Sequence, residues 1–175
     1  MSTLSIGRGA APAAVNSPAA PVSSSPGGLP EVLLEARRLA AEQGLPYAGS
    51  VSPVEAWQLV QDGAASLVDV RSPEELTFVG RVPGVRNVAW ASGTSLTRNP
   101  RFVKELESRA GGRSAVLLLL CRSGKRSAEA AAAATKAGFA QVFNVREGFE
   151  GDLDASQQRG ALGGWRHYGL PWQQD

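Results

Sequence analysis

The chain holds a single cysteine, Cys121, and the residues around it are arranged as chemistry would need them. Four leucines, Leu117 to Leu120, precede it; Arg122, Ser123, Gly124, Lys125 and Arg126 follow, and an alanine-rich stretch comes next. This spacing puts a thiol at the carboxyl end of an apolar strand, with a short polar loop running into a helix N-terminus. Loop and first-turn amides then point toward a common centre, and the helix dipole favours negative charge there. Three cations within five residues add to that field. Such surroundings favour the thiolate, which is the nucleophile, and stabilise an anionic group attached to its sulfur. A lone cysteine after leucines is otherwise a small buried hydrophobe. The cations and the glycine beside Cys121 move the reading to a nucleophile, and that reading requires a thiol that reagents can reach.

Other chemistries are excluded or left without a motif. One Cys, one His and one Met rule out an intrachain disulfide framework and any zinc site built mainly from Cys and His. No metal and no cofactor is therefore assigned. No Ser-His-Asp signature, phosphate-binding glycine motif or dinucleotide fingerprint is present. His167, the only histidine, lies far along the chain, and a thiol already ionised by its loop needs no general base. With 18 Lys and Arg against 16 Asp and Glu, the net charge of +2 gives no reason to expect nucleic acid or a membrane as partner. The lone thiol suits a reducing compartment, and the expected location is cytoplasmic.

The elements that must position Cys121 read as one α/β domain. Residues 1–29, rich in Ala, Pro and Ser and free of acids, are expected to be a disordered tail. Residues 30–48 form an N-terminal helix, through Gln43, and a linker; residues 49–175 form the domain. Ser52, Pro53 and Glu55 predict a capped helix ending before Gly63. Strands are expected over Ser66 to Val70, Val85 to Val88, Ala115 to Leu120 and Gln141 to Val145. Helices are expected from Asn99-Pro100 to Arg109 and from Ser127 to Ala137. The Ala115 to Leu120 run has no polar alternation, as in a parallel-sheet strand covered on both faces. Ligands of such sheets bind at the carboxyl ends of the strands, where Cys121 falls.

Several segments together resemble the single-domain rhodaneses, a sulfurtransferase family, from about residue 49 to the C-terminus. They are Asp69-Val70-Arg71 with Glu74-Glu75, Val82-Pro83-Gly84-Val85-Arg86-Asn87-Val88, the Cys121 to Arg126 loop, and Asn144 through Asp154 with Gly148-Phe149-Glu150-Gly151. Gly163-Gly164-Trp165 and Gly169-Leu170-Pro171-Trp172 are similar to the tail of bacterial members. The resemblance implies a three-layer α/β fold, a parallel five-stranded sheet flanked by helices, and transfer of sulfane sulfur through a cysteine persulfide. Carried over by position, Cys121 bears the persulfide, and amides from Arg122 through Ser123, Gly124 and Lys125 to Arg126 hold its outer sulfur. Asp69, Arg71 and Glu75 support the loop, and Trp165 shields the site or simply packs. Val82 stands where the family usually has His or Tyr.

The implied partners are thiosulfate or another sulfane-sulfur donor, and cyanide, a thiol or a protein as acceptor. Two rivals remain at this point. One is a carrier or protein-binding module that receives and passes on a persulfide without turning over small donors. The other is a phosphatase or arsenate reductase of the same fold, whose loop places an arginine six residues after the cysteine. Here Arg126 follows after five, giving a smaller ring suited to one sulfur atom.

Overall fold

A computed structural model describes residues 28–175, so most of the expected tail lies outside the described residues. Helix α1 spans Glu31–Gln43 and β1 Gly49–Val51. Helix α2 (Pro53–Gln61) begins with the anticipated cap: Ser52 Oγ accepts from the Glu55 amide, and the Glu55 carboxylate accepts from the Ser52 amide. Strand β2 (Ser66–Asp69) leads into α3 (Pro73–Phe78), where Ser72 and Glu75 repeat the reciprocal cap. Then come β3 (Arg86–Asn87), the hairpin strands β4 (Ala91–Ser92) and β5 (Thr97–Arg98), and α4 (Phe102–Arg109). Strand β6 (Leu117–Leu120), α5 (Lys125–Lys136) and β7 (Val142–Val145) complete the elements.

Five strands form one sheet in the order β1-β7-β6-β2-β3, every pairing parallel. This is the expected α/β architecture, with β6 in the middle. Its leucines alternate between two cores, as the pleat demands. Leu117 and Leu119 pack with Phe102, Leu106 and the α5 alanines Ala130, Ala131 and Ala134. Leu118 and Leu120 pack on the other face with Leu33 of α1, Leu59 of α2, Phe143 and Trp165. All four are fully buried, and each contributes about 1.5–3 kcal/mol of apolar burial.

Element edges differ from expectation for local reasons. The strand expected from Ala115 starts at Leu117, because Ala115 donates back to Gly112 in a turn. Helix α4 starts at Phe102 rather than Asn99: the Asn99 side chain accepts from the Arg101 amide, holding Asn99 to Arg101 in a turn. The β4–β5 hairpin, two residues per strand, had no sequence signal strong enough to announce it.

Candidate functional site

Cys121 follows directly on β6, and its side chain continues the Leu117–Leu119 face toward α5. The loop closes in three residues because Gly124 takes a left-handed φ of +89° as the N-cap of α5. The helix therefore starts at Lys125, two residues ahead of the expected Ser127, and Lys125 and Arg126 form its first turn. The Gly124 amide donates to Cys121 Sγ at 3.1 Å. None of the other amides from Arg122 to Ser127 donates to a protein acceptor among the described residues.

Ser127 Oγ also lies 3.1 Å from Sγ, and 2.6 Å from Asn144 Oδ1 on β7; Ser127 and Asn144 are both buried. One hydroxyl proton cannot serve both neighbours at once. With a thiol, S–H donates to Ser127 Oγ and the hydroxyl donates to Asn144. With a thiolate, the hydroxyl turns to sulfur and the Asn144 amide group presents its NH₂ instead. The serine–asparagine pair can thus satisfy either protonation state of Cys121.

The loop is held from behind by the turn after β7. Phe149 N donates to Cys121 O at 2.8 Å and Glu150 N to Arg122 O at 2.9 Å. Gly148, at φ +64°, makes this approach possible: a Cβ there would lie 2.5 Å from Cys121 O. The turn is itself braced from the C-terminal segment, where Trp165 N donates to Gly148 O and Arg166 N to Phe149 O. From the strand beside β6, Asp69 accepts from the Arg71 amide and guanidinium at 2.7–3.2 Å, both side chains being buried. The Arg71 guanidinium also donates to Gly80 O and lies 4.0 Å above the Phe149 ring. Asp69 and Arg71 reach the loop through Phe149, without touching the sulfur.

Arg126 is committed to a protein partner. It forms a two-pronged ion pair with Glu75 at 2.6 and 2.8 Å, largely shielded from water. Burial pushes the Glu75 carboxyl up, but the Arg126 guanidinium and the Ser72 amide outweigh it and hold the group below its ordinary value. The same pair raises Arg126 against its own desolvation, and the charge on Cys121 adds to that. Arg122 and Lys125 are exposed and take part in no ion pair among the described residues; Ser123 is half-buried between them. Trp165 lies in the core across the sheet, edge-on to Trp57 with ring centroids 5.8 Å apart, and its indole N–H donates to Pro171 O. That is a packing position, away from the thiol face. His167 is exposed and bonded through Nδ1 to Gly160 O.

Contrary to the reagent-accessible thiol that the sequence reading required, Cys121 is buried and only 1% exposed, because β6 carries its side chain into the core under α5. One side of the sulfur is apolar core and the other is the Gly124 amide and Ser127 hydroxyl, so it is not sealed in hydrocarbon. Sequence reasoning missed Ser127 and Asn144. Ser127 read only as a helix start, and Asn144 gave one signal, a polar residue inside an apolar strand.

A parallel α/β sheet with a cysteine loop at the carboxyl end of its central strand, backed by a helix N-terminus, places the chain in the class of α/β domains whose ligands bind at the strand ends. Within that class the assignment is direct: residues 52–155 match the Rhodanese-like domain model, and the chain belongs to that family. An uncharacterized protein of Rickettsia conorii, RC0915, is 35% identical over 116 residues, covering 66% of this chain and 88% of that protein. The crystal structure of Rv0390 from M. tuberculosis is 45% identical, covers 74% of this chain and 99% of that one, and superposes with a TM-score of 0.66. The polysulfide-sulfur transferase of Wolinella succinogenes shares the fold at 20% identity and a TM-score of 0.51, over 79% of this chain and 88% of that one. The family is one of sulfur transfer. Among the described residues, no helix is long and apolar enough to cross a membrane.

Proposed function

We propose that this protein is a sulfurtransferase that moves sulfane sulfur from thiosulfate or a similar donor to a thiophilic acceptor through a persulfide on Cys121. The observation that carries the reading is the run of loop amides without protein acceptors around a thiol already bonded to Gly124 N and Ser127 Oγ. Those groups offer hydrogen-bond donors to a second sulfur attached to Cys121. In the first step the Cys121 thiolate attacks the sulfane sulfur; the new S–S bond forms as the old one breaks, and sulfite leaves with the bonding pair. In the second, cyanide or a thiol attacks the outer sulfur and the Cys121 thiolate is released. Arg122 and Lys125 supply mobile positive charge at the entrance, while Arg126, held by Glu75, stiffens the loop.

The short loop weighs against phosphoryl chemistry. Its arginine follows the cysteine after only five residues and is already paired with a carboxylate, so a tetrahedral phosphoryl group would have to break that pair to use it. The test is intact mass after mixing with thiosulfate. The expected result is a gain of one sulfur atom, lost on adding cyanide and absent in Cys121→Ser. Thiosulfate-to-cyanide transfer that persists in Cys121→Ser overturns the mechanism, and hydrolysis of an aryl phosphate by the intact protein favours the phosphatase.

A further inference from the structure

Three non-glycine residues hold a positive φ among the described residues, and Leu96 and Gln157 do so on exposed loops. The third, Glu147 at +68°, is half-buried and comes directly before Gly148 at +64°, in the turn that backs the Cys121 loop. The left-handed region is ordinarily left to Gly, or to the short side chains of Asn and Asp that bond locally. A glutamate there must be held by what its side chain reaches. Its Oε2 accepts from the Gly164 amide at 3.1 Å and from the Tyr168 hydroxyl at 2.9 Å. That second bond, with desolvation and the carboxylate charge, lifts the Tyr168 hydroxyl above its ordinary value, so it stays a donor. Gly163 has no positive φ, and the three nearest atoms that a Cβ there would meet all belong to the Glu147 side chain. Its bare Cα is what lets the carboxylate in.

The backbone of Glu147 lies against the loop itself: a Cβ on Gly124 would meet Glu147 N at 3.1 Å and Arg146 Cα at 3.3 Å. Gly124 is the residue whose amide donates to Cys121 Sγ. Glu147 thus joins the C-terminal segment to the loop amide nearest the sulfur. We propose that Glu147 is a positioning residue for sulfur transfer, its carboxylate gripped by Gly164 and Tyr168 so that its backbone sets where Gly124 presents its amide to Cys121. This rests on the Cys121 sulfurtransferase reading and goes beyond it, because Glu147 acts on the sulfur only through Gly124. The role belongs to the oxygen rather than to the charge: a glutamine carbonyl has two lone pairs and accepts both bonds.

The test uses Glu147→Gln, Glu147→Gly, Gly163→Ala and the double variant of the last two. Two readouts are taken on folded protein: the first-order rate of Cys121 loading at saturating thiosulfate, by intact mass, and the amide resonance of Gly124. Glu147→Gly relieves the backbone but drops both bonds, and Gly163→Ala displaces the carboxylate while leaving Glu147 in place. Each should shift the Gly124 resonance and load about tenfold more slowly, for a displacement smaller than the ~1 Å that costs about a hundredfold. Glu147→Gln should match the wild type in both readouts. The double variant should be no slower than Glu147→Gly, since the added Cβ then has nothing to displace. A Gly124 resonance unchanged in Glu147→Gly, Glu147→Gln as slow as Glu147→Gly, or additive slowing in the double variant overturns the positioning role. If the wild type takes no sulfur from thiosulfate, the sulfurtransferase reading falls and the Gly124 resonance alone decides on Glu147.

Discussion

Replacing Gly148 with alanine tests whether the turn after β7 positions the Cys121 loop. The added Cβ would meet Cys121 O at 2.5 Å and Arg122 C and Ser123 N at 2.6 Å, all backbone atoms that no rotamer change can move. At φ +64° alanine also carries a conformational cost of about 1–2 kcal/mol. To restore ordinary contact the loop must retreat by roughly an ångström, which stretches the Phe149 N to Cys121 O and Glu150 N to Arg122 O bonds, each worth about 0.5–1.5 kcal/mol. Together these give a loss of about 2–5 kcal/mol. Gly84→Ala is the matched control: its φ is +71°, with nothing within 4 Å of the added carbon, so only the conformational part applies. Urea unfolding should therefore place Gly148→Ala well below Gly84→Ala. Under folding conditions, Gly148→Ala should load sulfur onto Cys121 about a hundredfold more slowly, the usual consequence of a displacement of about 1 Å at a reacting centre. Equal stabilities for the two variants, or wild-type loading by Gly148→Ala, would refute the reasoning.

Two further perturbations address the charges and the hydroxyl. Because the Glu75 carboxyl is held below its ordinary value in the folded protein, its contribution is full above that value and is lost as pH falls through the folded one. Thermal midpoints of the wild type should thus drop between roughly pH 5 and pH 3, and Glu75→Gln should flatten that interval; parallel curves would show that the Arg126 pair adds nothing. Ser127→Ala should slow Cys121 loading about tenfold by removing a hydrogen bond to the thiolate, and should cost about 1–3 kcal/mol by leaving Asn144 unpaired. Adding Asn144→Leu should recover much of the stability measured by urea unfolding but none of the rate; recovery of both would assign the pair a packing role alone.

The central strand, the loop and the helix behind it were legible because each is a local pattern. Leu117 to Leu120 show their double burial through a lack of alternation, Gly124 permits the tight closure, and the alanine run from Ala130 to Ala134 gives α5 a face smooth enough to lie close on the sheet. What could not be read depends on separations that no local pattern encodes. Arg126 and Glu75 are 51 residues apart, and only the order of strands brings α3 beside α5, so three cations within five residues read as three free charges when one is paired. Ser127 and Asn144 meet at the sulfur because α5 packs over β7 next to β6. Trp165 could be read from the sequence as a shield or as simple packing, and the sheet decides for packing by putting it on the opposite face from Cys121.

The main-chain bonds from Trp165 and Arg166 to Gly148 and Phe149 have a consequence for biosynthesis. A nascent chain that has emerged only through β7 already holds every strand of the sheet, yet the turn behind the nucleophile still lacks its outer tether. The Cys121 loop is therefore braced at a later stage than the sheet, when the segment around residue 165 clears the ribosome and bonds to that turn. Polypeptides released before that point would carry the sheet while the turn behind the Cys121 loop still lacks these two bonds.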